Sequence, residues 1–170
     1  MDEEVSWYRS VKASEKKYDA PVHVSLAIMY QESHFASDAK PPREKLFGVV
    51  PWFRPTTAYG FAQVTDDTWE WYQLKTGNHS ADRDDFDDAA DFVGWYIVQS
   101  SKRFGIAKSD TYNQYLAYHE GHGGFKSKTY NKKPWLKKVA RKVDDNAQRY
   151  KRQLKQCSSE LNSNSIWSLF

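Results

Sequence analysis

The stretch Tyr115–Phe125, YLAYHEGHGGF, sets two imidazoles beside a carboxylate at His119, Glu120 and His122. Those residue types can hold a divalent metal. A helix that does so places its histidines at i and i+4, so that both rings leave one rigid face. Here the spacing is i and i+3, and Gly121, Gly123 and Gly124 surround the second ring. Glycine weakens a helix by ~1 kcal/mol, so that geometry is not held. His23, His34 and His79 supply no third-ligand pattern. No metal and no cofactor are expected. A glycine-rich helix end with exposed histidines accounts for the stretch better, but it leaves unexplained why an aromatic-rich helix runs into it.

A second candidate is Glu32, which closes the apolar stretch VHVSLAIMY from Val22 to Tyr30. At such a position a carboxylate is either an exposed terminal charge or a partly desolvated acid. Desolvation raises a carboxyl pKa, so the group can carry a proton at neutral pH and act as a general acid. Taken alone, the exposed-charge reading is the stronger one.

The elements that must position these residues read as mostly helix. Residues 3–17 suit a surface helix, with Val5, Trp7, Tyr8 and Val11 interleaved among charges. Pro21 fits a first helical turn and Asp19 is the candidate cap of a buried helix from Val22. Residues 36–57 hold four of the six prolines and suit a loop, with a short strand at Leu46–Val50. Thr65 is the candidate cap of a helix to about Thr76, stopped by Gly77. Asp84 or Asp85 starts a long helix to Phe104, stopped by Gly105. Asp110 caps the helix that carries Tyr112, Tyr115, Leu116 and Tyr118. From Pro134, one apolar stripe comprises Trp135, Val139, Val143, Ala147, Tyr150 and Leu154. A Ser/Asn-rich tail over 158–170 follows a domain spanning 1–157.

Composition bounds the answer. The 170 residues fit one domain with a core, and 39% are hydrophobic. Net charge is +3, too mild to indicate a nucleic-acid partner. No apolar run approaches the ~18 residues of a membrane span. The acidic start Met1-Asp2-Glu3-Glu4 is unlike a secretory signal. A single Cys157 forms no intramolecular disulfide.

One further stretch joins the two candidates. AYGFAQVTDDTW places Gly60 and Gln63 just before a helix start. In chain order, Glu32-Ser33, then Gly60-Phe61-Ala62-Gln63 with Thr68-Trp69 following, then Ala117-Tyr118 with Gly121 and Gly123, resembles the lytic transglycosylases of the soluble type. Their catalytic domain is goose-lysozyme-like. That family's motifs read Glu-Ser, Gly-Leu-Met-Gln and Ala-Tyr-Asn-Ala-Gly-x-Gly. Here His119 replaces the Asn and Glu120 the Ala. The gap from Glu32 to Gly60 is longer than the family's pattern suggests.

The resemblance implies a mainly α, lysozyme-like single domain with a small loop/β segment beside a cleft. It implies cleavage of the bond between N-acetylmuramic acid and N-acetylglucosamine in peptidoglycan, with Glu32 as the sole acid/base and a 1,6-anhydro sugar as product. Ser33 and Gln63 would contact glycan, and His119, which departs from the motif, either contacts glycan or is simply exposed. Gly60 would allow close backbone approach, and Tyr118 would orient Glu32. Trp52, Phe53, Tyr59 and Trp69 suit either the cleft or the core. The prolines and the cations Arg43, Lys45 and Arg54 fit the 36–57 segment to holding substrate. Glycan strands are the implied partner of a monomer in a bacterial periplasm or cell envelope. Any signal or lipid anchor would have been removed upstream of Met1, and envelope or membrane association is not visible in the residues. Two alternatives stay open: a lysozyme-type hydrolase, favoured if Asp66, Asp67 or Glu120 faces Glu32, and a non-catalytic glycan-binding or assembly protein on the same fold.

Overall fold

A computed structural model describes residues 2–40, 45–46, 50–51 and 56–166, with side chains placed for 5–40 and 56–156. The described residues are mainly α, as expected. They form α1 (Asp2–Tyr18), α2 (Val22–Ser33), α3 (Asp66–Thr76), α4 (Phe86–Phe104), α5 (Thr111–Lys126) and α6 (Pro134–Ile166). A short 3-10 helix at Thr129–Lys132 joins α5 to α6. In place of one strand at 46–50, two short ones, β1 (Lys45–Leu46) and β2 (Val50–Pro51), pair antiparallel, with Lys45 opposite Pro51. Trp52, Phe53, Arg43 and Arg54 lie outside the described residues.

The helix ends follow ordinary capping chemistry, with two corrections. Asp85 accepts from the backbone N–H groups of Asp87 and Asp88, and Asp110 from that of Asn113, satisfying donors that a helix start leaves unpaired. Asp19 does not cap α2. It has φ 55° and its carboxylate accepts from Lys108, while the carboxylate of Glu15 accepts from the Val22 N–H, at 3.2 Å. Nor does the Thr65 hydroxyl cap α3. It donates to the Thr68 hydroxyl, and Thr57 accepts from the Asp66 N–H at 3.0 Å. A cap supplied by another segment ties that segment in place, so Glu15 joins α1 to α2 and Thr57 joins the preceding loop to α3.

The core lies where α2 and α4 meet the other helices. Val24, Ala27, Ile28 and Met29 of α2 are buried together with Phe92, Val93 and Ile97 of α4 and Leu116 of α5. Helix α1 is more than a surface helix. Its Trp7 stacks on Phe86 at 4.8 Å and touches Phe35 and Phe61, so one indole braces the chain just after α2 and the loop before α3. On α6 the buried positions are Leu136, Ala140, Val143 and Ala147, with Val139, Tyr150 and Leu154 partly covered. Trp135, placed in the apolar stripe by spacing, is instead 53% exposed. The face that α6 presents begins one residue later.

A polar hub holds α1, α3 and α4 together. Asp91 accepts from the Tyr72 hydroxyl at 2.7 Å, the Tyr18 hydroxyl at 2.9 Å and the Lys17 ammonium at 2.8 Å. Removing the acceptor would strand two phenolic hydroxyls, and hydrogen bonds to a charged group contribute ~1.5–3 kcal/mol each. Asp91→Ala is therefore expected to lower unfolding free energy by about 2–4 kcal/mol, read from the denaturant midpoint, with Asp91→Asn costing less.

Candidate active site

Four separate segments converge on one cavity of about 530 Å3. Glu32 comes from the end of α2. Thr56, Ala58, Gln63, Val64, Thr65 and Thr68 form the wall before and at the start of α3. Phe92 and Tyr96 of α4 lie beside Tyr118, His119, Glu120 and Gly121 of α5. Each of the three sequence motifs therefore contributes to the lining.

Glu32 sits where the last turn of a buried helix ends. His34 and Phe35 follow with φ of 53° and 64°, so the chain turns sharply and leaves the carboxyl facing inward. Its Oε1 is fully buried and has no hydrogen-bond partner among the described residues. Burial pushes the carboxyl up to about 7, while the neighbouring Tyr115 hydroxyl works in the opposite direction. The cause is the cost of leaving a negative charge in a poorly solvated site. Tyr115 was missed in the sequence. It lies three residues before Tyr118, a spacing that places both phenols on one helical face.

The remaining expected site residues are distributed differently. The Tyr118 hydroxyl donates to the Ala62 carbonyl at 2.6 Å, so it is engaged with the second motif's backbone. Burial first and the charge of Glu32 second hold the Tyr118 hydroxyl well above its ordinary pKa, so it stays a neutral donor. Ser33 does not line the cavity. It is buried, its hydroxyl lies 2.8 Å from the Phe61 carbonyl and 3.3 Å from that of Met29, and it accepts from the Phe35 N–H. It joins the end of the first motif to the middle of the second. Gly60 has φ 78°, and a Cβ there would lie 2.0 Å from the Arg83 carbonyl oxygen. The close approach it permits is thus to Arg83.

Gln63 does line the cavity. Its φ is 47°, and its amide nitrogen donates to the carbonyls of Ala39 and Gly60 at 2.7 and 3.0 Å. Arg83, also unforeseen, donates to the carbonyls of Val64 and Thr57 and pairs with Asp66 at 2.7 Å. Such a residue has no motif to announce it, because its role depends on a loop that reaches it only in the folded chain. Of the flanking aromatics, Trp69 is buried against Tyr72 and Phe92, whereas Tyr59 donates to Asp84 at the surface.

The histidine stretch breaks at Gly121, whose φ of 68° and ψ of 164° lie in a region open essentially to glycine alone. The two imidazoles part there. His122 stacks on Tyr96 at 4.5 Å, and its Nε2 lies 2.9 Å from the Ser100 hydroxyl. Burial pushes its pKa down to about 4, so it is a neutral packing group. His119 faces the cavity side, with Nδ1 3.2 Å from Glu120 Oε1. Glu120 accepts from Lys133 at 2.7 Å and from Thr129. Burial pushes Glu120 up, but the hydrogen bonds from Lys133, Thr129 and His119 outweigh it and hold its pKa below the usual value.

An acid in a cleft whose walls come from three ordered motifs agrees with a comparison of the whole sequence. Residues 1–157 match the family model described as a transglycosylase SLT domain. The chain belongs to this family. No curated protein and no solved structure matches it. The SLT domain here is lysozyme-like and mainly helical, with Glu32 among the residues that line its cavity. Among the described residues no helix is long and apolar enough to cross a membrane.

In this SLT domain the kink at Gly121 sets His119 and His122 to different tasks, and no group of three or more His, Cys, Asp or Glu among the described residues converges as metal ligands would. Elemental analysis of protein purified without chelator is expected to find well under one zinc per chain, and EDTA is expected to leave the melting temperature unchanged. Stoichiometric zinc would contradict that arrangement.

Proposed function

We propose that this SLT domain is a peptidoglycan lytic transglycosylase. The observation that carries the reading is a buried glutamic acid, pushed up to about 7, lining the cavity that the three motif segments form. In the proposed reaction protonated Glu32 donates to the glycosidic oxygen between N-acetylmuramic acid and N-acetylglucosamine, and the bond from C1 to that oxygen breaks. The resulting carboxylate takes the proton of the muramic acid 6-hydroxyl as its oxygen bonds to C1. No water is consumed, and Glu32 ends protonated again. The attack is intramolecular, so its entropy cost is already met in the bound sugar. The substrate's own N-acetyl group would stabilise the positive centre at C1.

Gln63 and His119 are the proposed glycan contacts, because both line the cavity. Ser33, Gly60 and Tyr118 act as positioning residues through their bonds or close approach to the 60–62 loop and Arg83. The natural setting is the bacterial envelope, where such strands are found.

One observation favours a second reading, a lysozyme-type hydrolase: Glu120 is a second carboxylate lining the same cavity. Its charge is already matched by Lys133 and by donors from Thr129 and His119, which leaves it poorly suited to activate water. Asp66 is paired with Arg83, and Asp67 is exposed, and neither lines the cavity.

Two experiments test the reading. Glu32→Gln keeps the shape of the side chain but cannot donate an acidic proton, so it is expected to abolish cleavage. Because folded Glu32 titrates at about 7 against an ordinary value of 4.5, the native chain keeps a proton that the unfolded chain loses. That contribution to stability is complete below pH ~4.5 and is lost as pH rises through 7. The variant is therefore expected to be more stable than the parent at pH 8, on the order of 3 kcal/mol, and nearly equal at pH 4. Wild-type activity should fall as pH rises above about 7. Retained activity, or a variant less stable at pH 8, would contradict the assignment. In the second experiment, mass analysis of digested sacculi is expected to give muropeptides ending in 1,6-anhydro-N-acetylmuramic acid, lighter by one water than hydrolysis products. Reducing ends would favour the hydrolase, and intact sacculi with tight binding would favour a non-catalytic protein.

A further inference from the structure

The start of α6 carries a feature that neither the fold nor the acid chemistry uses. Trp135 is 53% exposed, although the spacing of α6 assigns it to the apolar stripe. A lone exposed apolar side chain is ordinary and by itself means nothing. Its neighbours give it a place. The indole meets the His119 ring edge-to-face, with centroids 5.3 Å apart and planes at 77°, and His119 lines the cavity that holds Glu32. Two residues before Trp135, Lys133 bonds to Glu120, another lining residue. The first turn of α6 is therefore fastened to the cavity wall, and the tryptophan stands just outside it. An indole is flat, rigid and apolar on its faces, and such side chains line sites for ligands with apolar surface. A pyranose ring offers a matching face of C–H groups.

We propose that Trp135, braced by His119, is a pyranose-stacking subsite that extends the cleft beyond the cavity and confers a preference for long glycan strands over short fragments. The proposal rests on the glycan-cleaving reading and names a contact to the strand at a distance from the broken bond. An outer contact of this kind contributes to binding equally before and during reaction, so its loss raises KM and leaves kcat alone.

The test uses peptide-free glycan strands and a tetrasaccharide of the same repeat. In the inactive Glu32→Gln protein, adding Trp135→Ala is expected to weaken strand binding about tenfold, as for loss of an aromatic anchor, and to leave tetrasaccharide binding unchanged. In the active protein, Trp135→Ala is expected to raise KM for strands by a similar factor with kcat little changed. Trp135→Tyr is expected to restore most of the affinity. The exposed position predicts an unchanged melting temperature. Strand binding that is indifferent to Trp135→Ala overturns the subsite while cleavage, and so the catalytic reading, stands. Equal losses on strand and tetrasaccharide also overturn it, since the residue would then act on the cavity itself. Trp135-dependent strand binding without any cleavage by the wild type supports the subsite and overturns the catalytic reading.

Discussion

A carboxyl group buried at the end of an apolar helix is the constraint on which the rest of this protein depends. Helix α2 is apolar on nearly every side because other helices cover it, and Glu32 inherits that dry environment. Its Oε1 lacks a hydrogen-bond partner among the described residues. An unpaired polar atom in such a place costs free energy, and it persists only because the surrounding packing holds the helix where it is. The same cost is what raises the pKa to about 7. Stability and acidity are two readings of one desolvation.

Keeping that acid useful requires walls that do not move. The loop at 57–64 is held from several directions. Ser33 reaches the Phe61 carbonyl, Tyr118 reaches that of Ala62, Gln63 reaches that of Ala39, and Arg83 reaches those of Val64 and Thr57. Trp7, from the far end of the chain, packs against Phe61 and Phe35. Backbone carbonyls that would otherwise face water are thereby satisfied, and the loop becomes a rigid face of the cleft. Several residues of the motifs thus serve the wall more than the substrate.

The side of the cavity built by α5 departs from the family pattern at two positions. Where Asn and Ala are usual, His119 and Glu120 stand, and they meet Thr129 and Lys133 before α6 and Trp135 in its first turn. Gly121 lets the helix break without strain at that point.

The helices and their order could be read from short-range patterns in the sequence. Caps at Asp85 and Asp110, stops at Gly77 and Gly105 and the apolar stretch before Glu32 are local features, governed by contacts within a few residues. The three motifs were readable for the same reason: each is a short contiguous run. What tertiary structure alone decided is which polar atoms meet across long separations. Ser33 and Gly60 looked like substrate contacts, yet Phe61 and Arg83 claim them. The Tyr118 hydroxyl goes to the Ala62 carbonyl, and Glu15 replaces Asp19 as the cap of α2. Trp135 fell on the predicted apolar stripe and ended exposed. A side chain's type and spacing say what it can bond to, but its partner depends on which other segments arrive beside it, and burial, which sets the pKa of Glu32, exists only once they have.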